Sequence, residues 1–557
     1  MTTTEPVGLP AEVPLPVGPA LAVLRRPVVA AALLALLLHG GWALFLARDA
    51  GDLAAQYAWT EFASRHPASA YNLSWYGGMH TASYSLVAPY LMGWLGVRTT
   101  GVLAGTLAAA AAARLLVRAA VPRPLPPALW TAFALWCNVV SGRVTFAVGV
   151  AFGLAALALL PPAPGGAAPG RPVPRALGVL APAALATLAT IGSPLAGLFL
   201  GVVGAALALT GRRRDACVLT VGPGLVLAGT ALLFPFRGVQ PFDWYLAAPV
   251  VASAVAVAVL VPRTWRAVRG GAVVYAAGAA LTWAVPSPVG SNVERLPLLF
   301  AGTVLLVVAR RPVAVGRRRA LAAGAVFLTV ATWQVAKPAG DLVTSLPVSA
   351  SVRDTGPLID ELRRLGADRG RVEIVPLRSH LEASGFAPYV NLARGWNRQA
   401  DVARNPLFYT AALAPEDYHA WLRTWGVGYV VLPAATPDDA AVDEARIVAS
   451  GPSWLAPVWR DDRWRLFRVV DALPLADPPA TVLRAGPAAL TVETAGAGAV
   501  RLRIPWSPWL AVDGPAGGAR GCLAEEDGWT LLRAPGPGTY RVLGRYALPR
   551  GERCPNG

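Results

Sequence analysis

About eleven apolar segments, separated by short polar stretches, follow one another between residues 28 and 335. A helix needs about 17–25 mostly apolar residues to cross the roughly 30 Å hydrocarbon core of a bilayer. By residue number, the segments are 28–47, 99–117, 128–140, 144–160, 177–191, 195–209, 218–234, 245–261, 271–285, 296–309 and 320–335. This pattern predicts a polytopic α-helical membrane protein with about eleven transmembrane helices.

The charge of the chain falls in clusters between these segments. Charged residues make up 15% of the chain, against roughly 25% in soluble domains, and the formal net charge is +17. A strongly basic chain often binds nucleic acid, but here Arg clusters follow every second segment and also precede the first, at Arg25 and Arg26. Basic clusters mark the cytoplasmic side of membrane helices. We therefore expect a multi-pass plasma-membrane protein with a cytoplasmic N-terminus, no nucleic-acid partner, and an extracytoplasmic chain after Lys337.

Four regions differ in composition. Residues 1–27 are Pro-rich and predict a disordered cytoplasmic tail. Residues 28–336 form the predicted transmembrane domain, whose first outer loop spans 48–96. Residues 337–473 mix amphipathic helix and strand patterns and predict an extracytoplasmic α/β domain. Residues 474–557 alternate short strands with Gly/Pro turns, which is typical of a β-sandwich.

The first outer loop contains the acidic residues best placed for chemistry. Asp49 and Asp52 follow directly on the first apolar segment and so lie near the headgroup level. One of them, Asp52 ahead of Asp49, is predicted to deprotonate an acceptor hydroxyl or to hold a divalent cation such as Mg²⁺ or Mn²⁺. The alternative is an ordinary solvated loop charge. The end of the loop, 84–96, is apolar but short, which predicts a helix lying in the interface or re-entering the membrane.

The same loop carries a histidine and aromatic residues that suit a sugar substrate. His80 is a candidate for orienting substrate hydroxyls. Trp75 and Tyr76 are candidates for stacking on a sugar face. The alternatives are a solvated loop histidine and an interfacial aromatic belt, which uses the same residue types.

Arginine residues beyond the first loop are candidates for binding the donor or substrate. Arg295 and Arg237 stand at the outer ends of late segments, where a guanidinium group can hold a phosphate leaving group. The alternative is a snorkelling arginine. In the C-terminal region, Arg394, Trp396 and Asn397 combine planar hydrogen bonding with stacking, which favours carbohydrate. Structural packing of that domain against the membrane part is the alternative.

The cysteines and the known motifs add two constraints. Cys522 and Cys554 both fall in the predicted extracytoplasmic β region, where an oxidising environment favours a disulfide between them. Two free thiols are the alternative. The sequence has no Walker motif, GxGxxG after a strand, GxSxG or HExxH. This argues against an ATPase, a Rossmann enzyme, a serine hydrolase and a zincin.

The layout resembles the GT-C superfamily of integral-membrane glycosyltransferases. The first loop, with GDLAAQYAWTEFASRHP and YNLSWYGGMHTASYSLVAPYLMGWLG, looks like bacterial members of that group, including YfhO-like and arabinosyl- or mannosyltransferase-like proteins. The segments WGVGYVVLP, DDRWRLFRV and IPWSPWLAVDG are similar to the C-terminal part of the YfhO-like proteins. Gly51-Asp52 stands where the superfamily often has an Asp-Glu pair. The resemblance implies a polyprenyl-phosphate sugar donor, an inverting transfer and an optional metal.

These observations predict a glycosyltransferase that moves a sugar from a polyprenyl phosphate to a glycan, lipid or protein of the cell envelope on the outer face. Asp52 is the predicted base, and Arg295 is predicted to hold the donor phosphate. A multi-pass transporter of the major-facilitator type is the main alternative, although such carriers normally show matching halves and charged residues inside the spans. A non-catalytic envelope scaffold is a third interpretation.

Overall fold

The computed structural model describes residues 26–47, 51–83, 85–161, 177–352, 354–410, 412–517, 520–547 and 554. The predicted tail, 1–27, lies outside the described residues except for Arg26 and Pro27. Asp49, one of the two candidate bases, also lies outside them.

The N-terminal part of the chain is helical. Its helices in chain order are α1 Pro27–Gly41, α2 Leu53–Arg65, α3 Ala88–Leu95, α4 Val97–Arg118, α5 Leu125–Val140, α6 Val144–Leu159, α7 Leu177–Gly192, α8 Pro194–Leu209, α9 Arg213–Leu233, α10 Trp244–Leu260, α11 Arg266–Ala284, α12 Arg295–Ala309, α13 Pro312–Val315 and α14 Arg317–Val352. A π-helical stretch, Trp42–Leu46, continues α1. Apolar side chains cover these helices, and helical hydrogen bonding satisfies their backbone without water.

Five stretches are long and apolar enough to cross a membrane, judged by length and composition among the described residues. They are Pro27–Leu46, Val97–Arg118, Arg213–Leu233, Gly290–Ala309 and Arg317–Thr344. Five shorter apolar helices lie between them, in α5, α6, α7, α8 and α10. The helices follow the predicted apolar segments along the chain, while the predicted number of about eleven crossings stays a prediction.

The last long helix differs from its predicted extent. The apolar segment ends near residue 335 and the sequence places a domain boundary at 337, but α14 continues to Val352. Apolar composition reports which part of a helix can lie in lipid, whereas a helix ends only where its backbone hydrogen bonding ends. Pro338 lies inside α14 and removes one such hydrogen bond without ending the helix.

The region after α14 begins with an α/β domain. Its strands are β3 Arg371–Ile374, β4 Asn391–Leu392, β5 Val427–Pro433, β6 Leu455–Arg460 and β7 Trp464–Val469, and its helices are α15 Gly356–Arg364, α16 Leu381–Phe386, α17 Arg398–Arg404, α18 Pro415–Thr424 and α19 Val442–Ser450. The sheet order is β4-β3-β5-β7-β6, with β4, β3 and β5 parallel and β7 and β6 antiparallel.

The C-terminal strands form a β-sandwich. They are β8 Thr481–Ala485, β9 Ala489–Thr494, β10 Gly498–Pro505, β11 Leu510–Asp513, β12 Cys522–Glu526, β13 Trp529–Ala534 and β14 Gly538–Gly544. One sheet has the order β11-β14-β9-β8 and the other β10-β13-β12. Val492 and Val542 from the first sheet share a core with Leu502 and Leu532 from the second. A disulfide links Cys522 and Cys554.

The first loop is inserted between these two domains. It contains α2, the two-stranded hairpin of β1 Tyr71–Asn72 and β2 Met79–His80, and the eight-residue α3, which is too short to cross a bilayer. Trp59 and Trp75 belong to the core of the α/β domain, while Tyr71 and Leu73 belong to the core of the sandwich. The loop therefore fixes both domains over one end of the helices, which we call the domain side.

Candidate functional site

Asp52 lies on the domain side at the start of α2, in a backbone held by neighbouring helices. Its N–H donates to the Ser141 carbonyl at 3.1 Å. Gly51 has a φ of +60°, and a Cβ there would collide with the same carbonyl, so only glycine fits. One turn later, Gln56 Oε1 accepts the backbone N–H of Thr145 at 3.2 Å. These contacts set the position of the Asp52 carboxylate relative to α5 and α6.

Two arginine residues meet Asp52 at this point. Arg295 Nη2 lies 3.4 Å from Asp52 Oδ2 and donates to Asn292 Oδ1 at 2.6 Å. Arg143 Nη2 lies 3.1 Å from Glu294 Oε1. Burial lowers the pKa of Arg143, but the charges of Glu294 and Asp52 raise it more, so it stays above its ordinary value. Arg143 is therefore a cation, and Arg295 is one as well because a guanidinium group stays protonated in proteins.

The carboxylates of this group differ in exposure. The Asp52 side chain is 37% exposed, whereas that of Glu294 is 13% exposed. An acceptor hydroxyl approaching from solvent therefore reaches Asp52 more readily than Glu294. Lys337 and Asp341 of α14 complete the group, with Nζ 3.8 Å from Oδ1. We call Asp52, Arg143, Glu294, Arg295, Lys337 and Asp341 the charged cluster.

The charged cluster borders a small cavity. Its volume is about 10 Å³, which is room for about one water molecule. Asn138, Ser141, Arg143, Arg295 and Lys337 are among its lining residues. Among the described residues, no group of three or more His, Cys, Asp or Glu side chains is arranged to hold a metal ion.

A much larger apolar groove lies between the helices, with a volume of about 490 Å³. Its walls come from α6, α8, α10, α11 and α12, with Leu115 of α4 at one margin. Along α8 it extends from Ala196 to Leu207, a rise of about 17 Å at 1.5 Å per residue. We call this space the apolar groove. Its size and shape suit a hydrocarbon chain that runs along the helices.

The apolar groove ends beside the charged cluster. Leu296 and Pro297, the residues that follow Arg295, line it directly. The Arg295 guanidinium lies 5.3 Å from the centre of the Phe146 ring, which packs edge-on against Phe199 of the groove wall. An apolar path and a cation are thus adjacent. This is the arrangement that binds an amphiphile with an anionic head.

The predicted sugar-stacking residues are instead buried between domains. Trp75 is fully buried and packs so closely on Gly395 that a Cβ there would clash. The Tyr76 hydroxyl donates to the Gly395 carbonyl at 3.0 Å and accepts the Asn397 N–H at 3.0 Å. Both aromatic residues therefore join the first loop to the α/β domain, and neither presents a free face to a sugar.

His80 is also buried, against the β-sandwich. Its Nε2 lies 2.8 Å from Ser507 Oγ, and its ring packs edge-on against Tyr71 and Phe234. Burial, with a smaller contribution from Arg404, lowers the pKa of His80 to about 4. The prediction that His80 orients substrate is not supported, because the ring is already occupied in a domain contact.

The stability of this contact is expected to depend on pH. The unfolded chain protonates His80 near pH 6.5, and the folded chain only near pH 4, so acid favours unfolding between these values. The free energy of unfolding therefore falls by up to about 3 kcal/mol as the pH falls from 6.5 to 4. His80→Gln should flatten that part of the pH dependence. Thermal unfolding of wild type and variant between pH 4 and 7 measures it; parallel curves would contradict the assignment.

The predicted carbohydrate segment of the α/β domain also has a structural role. Arg394 is buried and bonded to Glu373 and Glu444. The Asn397 side chain accepts the Ala400 N–H at 3.0 Å and caps α17. Trp396 stacks on His380 with ring centres 3.5 Å apart. These contacts lie within the α/β domain and not against the membrane helices, so the segment packs its own domain, and a carbohydrate-binding role for it stays a prediction.

The structure brings some of the predicted site residues together and separates others. Asp52 and Arg295, predicted from separate loops, lie together, while Arg237 is exposed on the connection between α9 and α10. The apolar groove and the role of Lys337 in the cluster were not predicted. One signal was available for the groove: Gly149 and Gly153 put small residues one turn apart on a single face of α6.

Comparisons with known proteins give limited matches. Residues 477–557, which cover the β-sandwich, match a family described as a domain of unknown function (DUF8823). The comparison with curated proteins finds no match to the chain. Among solved structures, the chain is similar to a cryo-EM structure of the arabinofuranosyltransferase AftD from Mycobacteria, with 13% identity and a TM-score of 0.45. The match covers 93% of this chain, which spans 60% of the length of that protein.

Proposed function

We propose that the protein is a membrane glycosyltransferase that moves a sugar from a polyprenyl phosphate to a cell-envelope glycan, lipid or protein on the outer face. The observation that supports this proposal is the apolar groove that ends beside Arg295 and Asp52. A polyprenyl chain is a long hydrocarbon with an anionic head. The hydrocarbon of such a donor matches the apolar groove, and its anionic head matches Arg295.

The chemistry assigned to the charged cluster is a single displacement. The acceptor hydroxyl oxygen attacks the anomeric carbon of the sugar, and the bond from that carbon to the phosphate oxygen breaks. The hydroxyl proton passes to Asp52, and the polyprenyl phosphate leaves with the electron pair of the broken bond. Arg295 stabilises the negative charge that develops on the phosphate as the bond breaks. No further reactant is needed to balance the step.

The exposure of Asp52 supports its assignment as the base. A general base must come within hydrogen-bond distance of the proton that it removes. Asp52 is the more exposed carboxylate beside Arg295, and its backbone is fixed by Ser141. The proposal therefore separates the roles: Arg295 faces the donor phosphate and Asp52 faces the acceptor.

Transfer by the purified full chain, with a panel of polyprenyl-phospho-sugars and envelope acceptors, tests the function. Gly153→Leu is expected to lower transfer from a long-chain donor by about tenfold or more, because the new side chain fills the apolar groove. A Cβ at Gly153 meets only ordinary contacts, with Leu200 at 3.7 Å, so the helix packing should tolerate it. Donor analogues with a short prenyl chain should be affected less.

Gly201→Leu is the matched control. Gly201 lies on α8 away from the lining of the groove, and a Cβ there has open space around it. We expect its transfer rate to stay within about twofold of the wild type. Equal loss in both variants would remove the groove from the proposal. No transfer with any donor, together with uptake of a solute by proteoliposomes, would favour the transporter.

A further inference from the structure

The charged cluster contains a residue type that occurs nowhere else in the chain. Lys337 is the only lysine among 49 Lys and Arg residues. It lies one turn before Asp341 on α14, and it lines the same small cavity as Arg143 and Arg295. Three positive side chains therefore line one small cavity.

The three positive side chains differ in their distance from the nearest carboxylate. Arg143 lies 3.1 Å from Glu294, and Arg295 lies 3.4 Å from Asp52. The Lys337 ammonium is 3.8 Å from Asp341, which is beyond hydrogen-bond distance. The Lys337 side chain is also 37% exposed. A lysine carries its charge on a flexible stem with three rotatable donors, so Lys337 can turn towards an added anion.

We propose that Lys337 binds the phosphate of the lipid donor together with Arg295, and that Asp341 holds the ammonium when no donor is bound. The inference rests on the proposed function, since it assigns a second cation to the donor of that reaction. Lys337 and Arg295 reach one cavity from two packed helices, α14 and α12. The cavity itself has room for only about one water molecule, so the phosphate lies at its margin, where the Lys337 side chain is 37% exposed. There the ammonium exchanges its long contact to Asp341 for a charge-assisted hydrogen bond to the phosphate.

The uniqueness of Lys337 provides a direct test in the full chain. An N-hydroxysuccinimide ester acylates amines, so Lys337 is its one side-chain amine target, and peptide mass spectrometry separates it from the α-amino group. A polyprenyl monophosphate at ten times its dissociation constant should slow acylation of Lys337 by about tenfold. Absence of protection would overturn the proposal.

Two further probes distinguish the source of the protection. The corresponding polyprenol fills the groove without an anionic head and should leave acylation unchanged. Inorganic phosphate supplies the anion without the chain and should protect only at far higher concentration. Equal protection by the polyprenol would show that the chain merely shields the lysine. Equal protection by inorganic phosphate would assign the site to a soluble anion. Either result would overturn the proposal for the lipid headgroup.

Substitutions give a second, independent measurement. Lys337→Met should weaken binding of the polyprenyl phosphate by about tenfold, the value of one charge-assisted hydrogen bond. Lys337→Arg should restore most of that affinity, and Asp341→Asn should not weaken it. Equal loss in the Met and Arg variants would contradict a role of the charge. Binding is measured without transfer, so protection of Lys337 in a chain that transfers no sugar would refute the proposed function and leave this assignment standing.

Discussion

Replacing Asp52 by Asn is expected to lower the rate of sugar transfer by about 10²–10⁴-fold, the usual contribution of a positioned general base. The amide keeps the size of the side chain but cannot accept the proton of the acceptor hydroxyl. Steady-state transfer by the purified full chain measures the effect. The loss should appear in kcat, because the proposal assigns donor binding to the apolar groove and Arg295 and not to Asp52.

A neighbouring carboxylate provides the matched control. Glu61 lies on α2, the helix that begins directly after Asp52, and it is 43% exposed and paired with Arg65. Glu61→Gln makes the same chemical change outside the charged cluster, and its transfer rate should stay within about twofold of the wild type.

The pairing of Asp52 with Arg295 requires one further measurement, since removing the carboxylate also removes a partner of the arginine. Binding of polyprenyl phosphate should be retained in Asp52→Asn. Retained binding with lost transfer identifies a role in the chemical step. A variant that transfers sugar at the wild-type rate would show that the base lies elsewhere, with Asp49 the first candidate to replace.

Hydropathy predicted the helical character of the N-terminal part of the chain, because it reports a local property, while the number of crossings and the sidedness inferred from the charge clusters stay predictions. The apolar groove depends on how far apart five helices stand, and that spacing follows from packing between residues distant in sequence. The composition of a single apolar segment therefore does not predict this spacing. The same limit explains α14, whose continuation past residue 337 depends on backbone bonding rather than on composition.

The buried aromatic residues of the first loop show why residue type alone does not separate a sugar site from a domain contact. Trp75 and Tyr76 have the side chains that stack on sugars, and the same flat surfaces pack well in a core. What decides between these uses is their partner, Gly395, which lies more than 300 residues further along the chain. Asp52 and Arg295 do lie together, 3.4 Å apart, and each stands next to an apolar segment, but their roles as base and phosphate ligand stay predictions.

Replacing Arg394 by Met is expected to destabilise the α/β domain by about 3–5 kcal/mol, the usual cost of leaving a buried charge unpaired. Arg394 Nε donates to Glu373 Oε1 at 2.8 Å, and its other nitrogens reach Glu444 and Asp401. The guanidinium also lies 3.8 Å from the centre of the Phe408 ring. Burial raises the pKa of both Glu373 and Glu444, so removing the cation leaves carboxyl groups with neither water nor a counter-charge.

Hydrogen exchange of the full chain measures this change locally, in the peptides that carry β3 and α19, where the two glutamates lie. Both should exchange much faster in Arg394→Met, while peptides from the β-sandwich should change little. Arg446→Met is the matched control, because Arg446 pairs with Asp443 on the surface of α19 and is 70% exposed. An exposed pair contributes at most about 1 kcal/mol, so its exchange should stay close to that of the wild type.

A compensating variant separates loss of charge balance from loss of packing. Adding Glu373→Gln and Glu444→Gln to Arg394→Met removes the unpaired carboxyl groups, and most of the lost protection should return. If the triple variant exchanges as fast as Arg394→Met, the arginine stabilises the domain through its contacts with Phe408 rather than through its charge. If Arg394→Met exchanges like the wild type, the cluster is not a structural anchor, and a ligand-binding role for Arg394 becomes the better hypothesis.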